Sequence, residues 1–332
     1  MPNIIEKLLR LLLQGLKRLL KSSRAFRALS NADEFSDLYE HEKMLADAIR
    51  INCYRDAIKR YIKPGEVIVD LGTGTGILSF FAAQQKPKKI YAIDHSDFIN
   101  VARRIAEHNN INNIQFVKTN SRNFTPSEKI DVILHEQIDD NLFDENMIEN
   151  ILDLKNRTLK KTGRILPSKF ELFLEPISLK KNFKIPFIWE NNIDGIDFGF
   201  LKNSDVIDKY KLADYKLKWP EASAIEYFLC EPKAILSFNI NELKDKNDIP
   251  KLIETSKKVV CPGTMDGLCV YFKVIFDDEI YFDTSPLHTK THWGNPFFRI
   301  ESRTYETGEY VSYRLVMEDV FLKNWSVSIN PD

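Results

Sequence analysis

The sequence predicts two joined halves, a doubly wound α/β sheet followed by an antiparallel β domain. Three observations predict this. Over residues 66–166, short apolar runs alternate with helical patterns, the mark of parallel strands joined by right-handed crossovers. From Pro167 onward the pattern changes to period two, as in 169–177; an antiparallel sheet with one buried and one solvated face produces that alternation. A glycine-rich turn, Gly72-Thr73-Gly74-Thr75-Gly76, follows directly on the first apolar run, as expected where backbone must approach a ligand at a helix start.

In chain order the first half reads as strand 67–69, the glycine turn, helix 77–84, strand 89–93 and helix 98–108. Strands 114–118 and 130–134 follow, then one long helix over 146–161. In the second half, 268–274 and 310–316 alternate like 169–177 and read as strands. Between about 182 and 212 an aromatic, Asn-rich excursion (Phe187, Trp189, Phe198, Phe200) does not read as strands. It is expected to be an arm extending from a β-barrel, with a long surface loop as the alternative. No internal repeat is visible. The expected division is an N-terminal helix over 1–30, the α/β domain over 31–166 and the barrel over 167–332.

Composition narrows the function. With 43% hydrophobic and 29% charged residues in 332, the chain can build two ordinary cores. A net charge of −1 gives no basic surface for nucleic acid. Cys53, Cys230, Cys261 and Cys269 form no CxxC pair, so no metal site is expected and a reducing cytoplasm fits. Residues 1–21 place Ile4, Leu8, Leu12, Leu16 and Leu19 on one helical face and Lys7, Arg10, Lys17, Arg18 and Lys21 on the other. This basic amphipathic pattern is expected to pack on protein, with membrane-surface contact the less favoured reading. No apolar run approaches the ~20 residues of a membrane span.

The chemistry concentrates at strand ends, where open α/β sheets bind ligands. Directly after the apolar run 130–134 stand Glu136 and Glu145. Two converging carboxylates can clamp one planar cation through charge-assisted, bidentate hydrogen bonds, and guanidinium fits that geometry. Capping of the following helix is the bland alternative. Asp70 ends the first strand and Asp94 the second, the latter placed for ribose hydroxyls. The dinucleotide fingerprint wants a small residue where Ile77 stands, which lowers the NAD reading.

The run Asp70-Leu71-Gly72-Thr73-Gly74-Thr75-Gly76, with Asp94 beyond, looks like the S-adenosylmethionine signature of class I methyltransferases. From about residue 34 onward the chain resembles the protein arginine methyltransferases. Four blocks carry the match: His41-Glu42-Lys43-Met44-Leu45-Ala46-Asp47 with Arg50 and Tyr54-Arg55; the glycine turn with Ile77-Leu78-Ser79; the span from Glu136 to Glu145 with Met147; and Thr291-His292-Trp293. The resemblance implies a class I methyltransferase sheet, a β-barrel and a dimerisation arm, with Trp189-Glu190-Asn191 and Asp197 falling in that arm.

Residue roles follow from the same resemblance. S-adenosyl-L-methionine would be the cofactor, its carboxylate on Arg50, its amino-acid part on Asp70 and Gly72, its ribose on Asp94. His41 and Met44 would close over it, and Gly74, Gly76 and Arg122 would complete its site. Glu136 and Glu145 would hold the substrate guanidinium, with Asp139, Met147 and Trp293 around it, and His292 would pair with Asp47. The chain also departs from the family pattern. Gln137 replaces a tryptophan, Asp139-Asp140 replaces a small residue and a tyrosine, and Asn295 replaces a glutamine. Phe35 keeps one aromatic of the N-terminal tyrosine motif, whereas Asn31 takes another. No carboxylate stands at Ser121-Arg122-Asn123, where the family's adenine-contacting acid aligns. The aspartate at 139 is closest to the monomethylating, type III branch.

The expected function is transfer of a methyl group to an arginine guanidino nitrogen of a protein or peptide, mainly once, by a cytoplasmic homodimer. Free L-arginine or a small guanidino metabolite is the alternative substrate. A non-catalytic methyltransferase-like scaffold is the alternative of another class.

Overall fold

The computed structural model describes residues 37–143, 145–184, 192–199, 217–218, 221–319 and 321–330. The amphipathic stretch 1–21, Phe35 and most of the expected arm lie outside them. The described chain opens with two helices, α1 (Leu38–Ala46) and α2 (Ala48–Tyr61). Asp47 caps α2, its Oδ1 accepting from Arg50 N at 3.1 Å, which satisfies a donor the helix itself leaves unpaired.

The first sheet contains β1 (Val67–Leu71), β2 (Lys89–Asp94), β3 (Ile114–Lys118), β4 (Ile130–His135) and β5 (Leu159–Leu166). Helices α3 (Ile77–Ala83), α4 (Ile99–His108) and α5 (Met147–Thr158) connect them. All neighbours pair in parallel in the order β3-β2-β1-β4-β5. Every residue of β1 is buried, as a strand covered by helices on both faces requires.

Two expectations need correction. The helix expected over 146–161 ends at Thr158, and residues 159–166 form the fifth strand. Thr158 Oγ1 turns back to Leu154 O at 2.6 Å, and Lys160 reaches across to Asp131 at 2.7 Å. The exposed Lys160 and Lys161 break the apolar pattern by which an edge strand would be recognised. In the stretch expected to lack strands, β7 (Asn192–Ile193) and β8 (Ile196–Asp197) pair antiparallel. Asp194 and Gly195 turn between them at φ +49° and +85°, the left-handed pair that a two-residue hairpin wants.

Pro167 separates the halves, and β6 (Lys169–Leu179) starts the second. Its main sheet adds β9 (Leu217–Lys218), β10 (Ile225–Phe228), β11 (Leu236–Asn239), β13 (Gly263–Ile275), β14 (Tyr281–Asp283) and β15 (Phe297–Tyr305). A smaller sheet holds β12 (Leu252–Lys258), β16 (Tyr310–Met317) and β17 (Trp325–Ile329). Along β6, Phe170, Leu172 and Leu174 join a core that runs on through Ile133, Tyr54 and Leu315. One hydrophobic core therefore spans both halves and fixes their relative position. At the seam, Tyr54 donates to His135 O at 3.1 Å and His135 Nε2 donates to Pro167 O at 2.8 Å. Burial pulls the His135 imidazole down to about 4, so the ring is neutral at pH 7.

Candidate active site

A cavity of about 670 Å³ opens beyond the C-terminal ends of β1, β2, β3 and β4. That is where strand order reverses in an open α/β sheet and where ligands bind; its size suits a cofactor with part of a substrate.

The floor is the glycine turn. Gly72 and Gly74 sit at φ +73° and +51°, and a Cβ at Gly74 would stand 3.1 Å from His41 Cε1. A side chain there would crowd the residue that covers the turn, on a backbone conformation that side chains rarely adopt. His41 is itself fixed by stacking on Phe98 at 3.7 Å. Asp94 ends β2 on the cavity wall, its two oxygens accepting from Gly74 N at 2.9 Å and Ser96 N at 2.8 Å. Carboxylate, turn and wall are thereby one rigid unit.

The opposite wall is the segment after β4. Glu136, Gln137, Ile138, Asp139, Asp140 and Glu145 all line the cavity, so both glutamates expected to form a clamp face one space. The Glu136 side chain is 12% exposed and pairs with Arg50, whose other terminal nitrogen donates to Met44 O at 2.7 Å. Burial raises the Glu136 carboxyl above its ordinary value despite the attraction of Arg50 and His292. A second cation arriving from the cavity would reverse that shift.

The third side comes from the barrel. His292 and Trp293 lie in the loop between β14 and β15. His292 donates its backbone N–H and shares Nδ1 with Asp47 Oδ2, both at 2.9 Å. Burial alone would raise Asp47, but the His292 ring and the N–H groups of Arg50 and His292 outweigh it and hold the carboxyl low. The next two residues bind the segment after β4 directly. Trp293 Nε1 donates to Ile138 O, and Gly294 N donates to Asp140 Oδ1, each at 2.7 Å. Trp293 packs face to face on Phe282 at 5.5 Å and edge-on to Phe272 at 5.3 Å.

His41, Met44, Arg50, Gly72, Gly74, Asp94, Arg122, Glu136, Asp139, Glu145, His292 and Trp293 all line the cavity. Four expected site residues do not; for Asp70, Gly76 and Met147 this corrects the reading, whereas Asp47 stands behind His292 as expected. Asp70 is buried behind the turn, where Oδ2 accepts from Thr73 Oγ1 and Ser79 Oγ at 2.6 Å each. Burial pushes its carboxyl up to about 6, against those two donors. It holds the turn rather than facing the cavity. Gly76, at φ +89°, starts α3 beneath the turn. Met147 begins α5 fully buried in the core, away from the cavity wall. Asp47 reaches the cavity through His292, its other oxygen capping α2.

Two residues that the sequence marked only as departures from the family pattern complete the wall. Asp140 ties it to the barrel loop, a contact across 154 positions that no local pattern announces. Gln137 lies 3.5 Å from the place a Cβ at Gly72 would take, and its Oε1 is buried without a hydrogen-bond partner among the described residues. An orphaned acceptor beside a glycine turn is what a ligand amine would satisfy.

Parallel sheet, glycine turn, strand-end carboxylates and a paired glutamate wall define a class I methyltransferase domain joined to a β domain. Comparison with known proteins agrees. A family described as a methyltransferase domain matches residues 62–199, and the arginine methyltransferase oligomerization subdomain matches 169–329. Protein arginine N-methyltransferase 6 of Danio rerio is 30% identical over 281 residues, 79% of this chain and 76% of that protein. Protein arginine N-methyltransferase 1 of Dictyostelium discoideum is 28% identical, covering 86% of this chain and 84% of its own. The structure of the Trypanosoma brucei PRMT1 enzyme–prozyme heterotetrameric complex with AdoHcy superposes at a TM-score of 0.76. It is 25% identical to this chain and covers 90% of it and 95% of its own. The chain belongs to the protein arginine N-methyltransferase family; it is an arginine methyltransferase. The methyl donor of that class, S-adenosylmethionine, fits the residues present: a glycine floor in the left-handed backbone region, a ribose-type carboxylate and an orphaned acceptor.

Proposed function

We propose that the enzyme methylates arginine side chains of proteins or peptides and releases mainly monomethylarginine. The observation that carries this reading is the shared cavity of Glu136, Glu145, the glycine turn, Asp94 and His292. S-adenosylmethionine, when bound, supplies an electrophilic methyl group on sulfur. Its site would be Arg50, Gly72, Gly74, His41 and Met44, with Asp94 on the ribose.

The protein's task is to make a guanidinium nucleophilic. A guanidinium is protonated at physiological pH and its charge is spread over three nitrogens. Glu136 and Glu145 hold two of them and draw positive charge away from the third, which then presents electron density toward the donor. Fixing the reactants at near-attack distance supplies about 7–11 kcal/mol of barrier reduction. Arg50, paired with Glu136, keeps that side chain aimed while its planar fork remains anchored on Met44 O. Transfer would break the methyl–sulfur bond, its electron pair staying with sulfur as a neutral thioether, and the nitrogen that gains the methyl loses a proton. His292 is the acceptor: Nδ1 faces Asp47, so Nε2 carries the free lone pair, and the Asp47 carboxylate steadies the imidazolium that results.

Asp139 sets the product. A further carboxylate in the wall adds an acceptor that holds the methylated guanidinium in its first orientation and disfavours a second transfer. The names of the relatives, protein and histone arginine methyltransferases, support a peptidyl substrate over free arginine. The matching oligomerization subdomain supports a homodimer. Incubation with labelled donor and an equimolar mixture of an Arg-Gly peptide and L-arginine, followed by mass spectrometry, tests substrate and product together. Peptide monomethylarginine is expected. Label on free arginine alone, or mostly dimethylated peptide at low enzyme, would refute the corresponding half.

A further inference from the structure

The cavity wall follows the strand order of the sheet. The glutamate wall lies beyond β4, the glycine turn beyond β1 and Asp94 beyond β2; Thr119, Asn120, Ser121 and Arg122 lie beyond β3. A nucleoside whose ribose meets the carboxylate ending β2 therefore has its base on the β3 side. There the wall presents a cation. Arg122 is exposed on it, and no described carboxylate pairs with its guanidinium. The short 3-10 turn that carries it, Ser121–Asn123, is firmly held. Asn120 Oδ1 accepts from Arg122 N at 3.1 Å. Arg157 donates to Ser121 O at 2.8 Å and to Phe124 O at 2.7 Å. Glu40, a carboxylate that α1 brings to the cavity, is engaged by Lys43 at 2.6 Å.

Arginine only donates hydrogen bonds. The 6-amino group of adenine also donates, so the two repel at that position, whereas the ring nitrogens accept. A 6-oxo purine offers O6 and N7 together, the edge that arginine grips with two parallel bonds. We propose that Arg122 determines base specificity in the cofactor site, facing the acceptor edge of the purine and leaving the 6-amino group unread. The proposal rests on the reading that this cavity holds S-adenosylmethionine.

Calorimetry on the full chain tests it, with S-adenosylhomocysteine and S-inosylhomocysteine as ligands for wild type and Arg122→Glu. Wild type is expected to bind the two with Kd values within about tenfold of each other. Arg122→Glu, which supplies an acceptor for the amine, is expected to move the Kd ratio at least about fivefold toward the adenosyl compound. The ratio cancels any general loss of affinity. If Arg122→Glu loses both ligands, Arg122→Ala takes its place under the same threshold. A wild-type preference for the adenosyl ligand beyond tenfold, or a smaller movement of the ratio, overturns the proposal. Binding of neither ligand to wild type would instead overturn the cofactor reading, and this one with it.

Discussion

Glu136 in the α/β half and Glu175 in the β half share one chemistry, a carboxylate withdrawn from water beside a cation. Glu175 is fully buried on β6 and pairs with Lys257. Lys257 Nζ also donates to Lys233 O at 2.7 Å, and Lys233 N donates to Glu175 Oε1 at 2.9 Å. Burial pushes Glu175 up to about 7 in spite of that company, and its Oε2 has no partner among the described residues. Burial raises the Glu136 carboxyl as well, yet its side chain lines a cavity. Desolvation alone therefore does not make a site. Access does: one pair is closed on itself and holds strands together, while the other is open to a ligand.

Breaking the closed pair should show the largest effect. Lys257→Met leaves Glu175 buried without its cation and is expected to cost about 3–5 kcal/mol of stability, read by chemical denaturation, with kcat of the surviving folded enzyme within about threefold. The open pair should respond in the opposite way. Glu136→Gln and Glu145→Gln are each expected to lower kcat about 10²–10³-fold, with thermal midpoint and S-adenosylhomocysteine affinity nearly unchanged. A variant of either glutamate that loses stability rather than turnover would erase the distinction.

The seam between the halves sharpens it by pH. His135 titrates at about 4 when folded against 6.5 ordinarily. A depressed folded value means its contribution is complete above pH 6.5 and is lost as pH falls toward 4, about 3 kcal/mol in all. Denaturation curves for His135→Gln should accordingly be flatter across that window than wild type. The smallest effect belongs to Asp140. Asp140→Ala leaves Gly294 N without its acceptor and should lower kcat/KM about tenfold, while Asp140→Asn, which keeps an oxygen there, restores it.

Much of this was legible from residues alone, and the gaps have physical causes. β1, β2 and β4 are nearly continuous apolar runs because both faces are covered, so their composition revealed them. Glu136, Asp94 and the glycine turn were legible because a parallel sheet puts its strand ends on one edge. Asp70 shows the limit. Its place at a strand end was evident, but which way the side chain turned depended on Ser79, nine residues on. β5 was hidden by its exposed lysines, and the β7–β8 hairpin by its short strands around Asp194-Gly195. Asp140 and Gln137 gain their roles from partners in another block of sequence, beyond the reach of spacing.

The bonds from Trp293 and Gly294 to Ile138 and Asp140 make the catalytic mouth a joint inheritance of two distant stretches of chain. Recombination with a relative that replaces only one side would separate these donors from their matched acceptors, and such a chimera should fold yet work poorly. Exchanging both stretches at once should recover it.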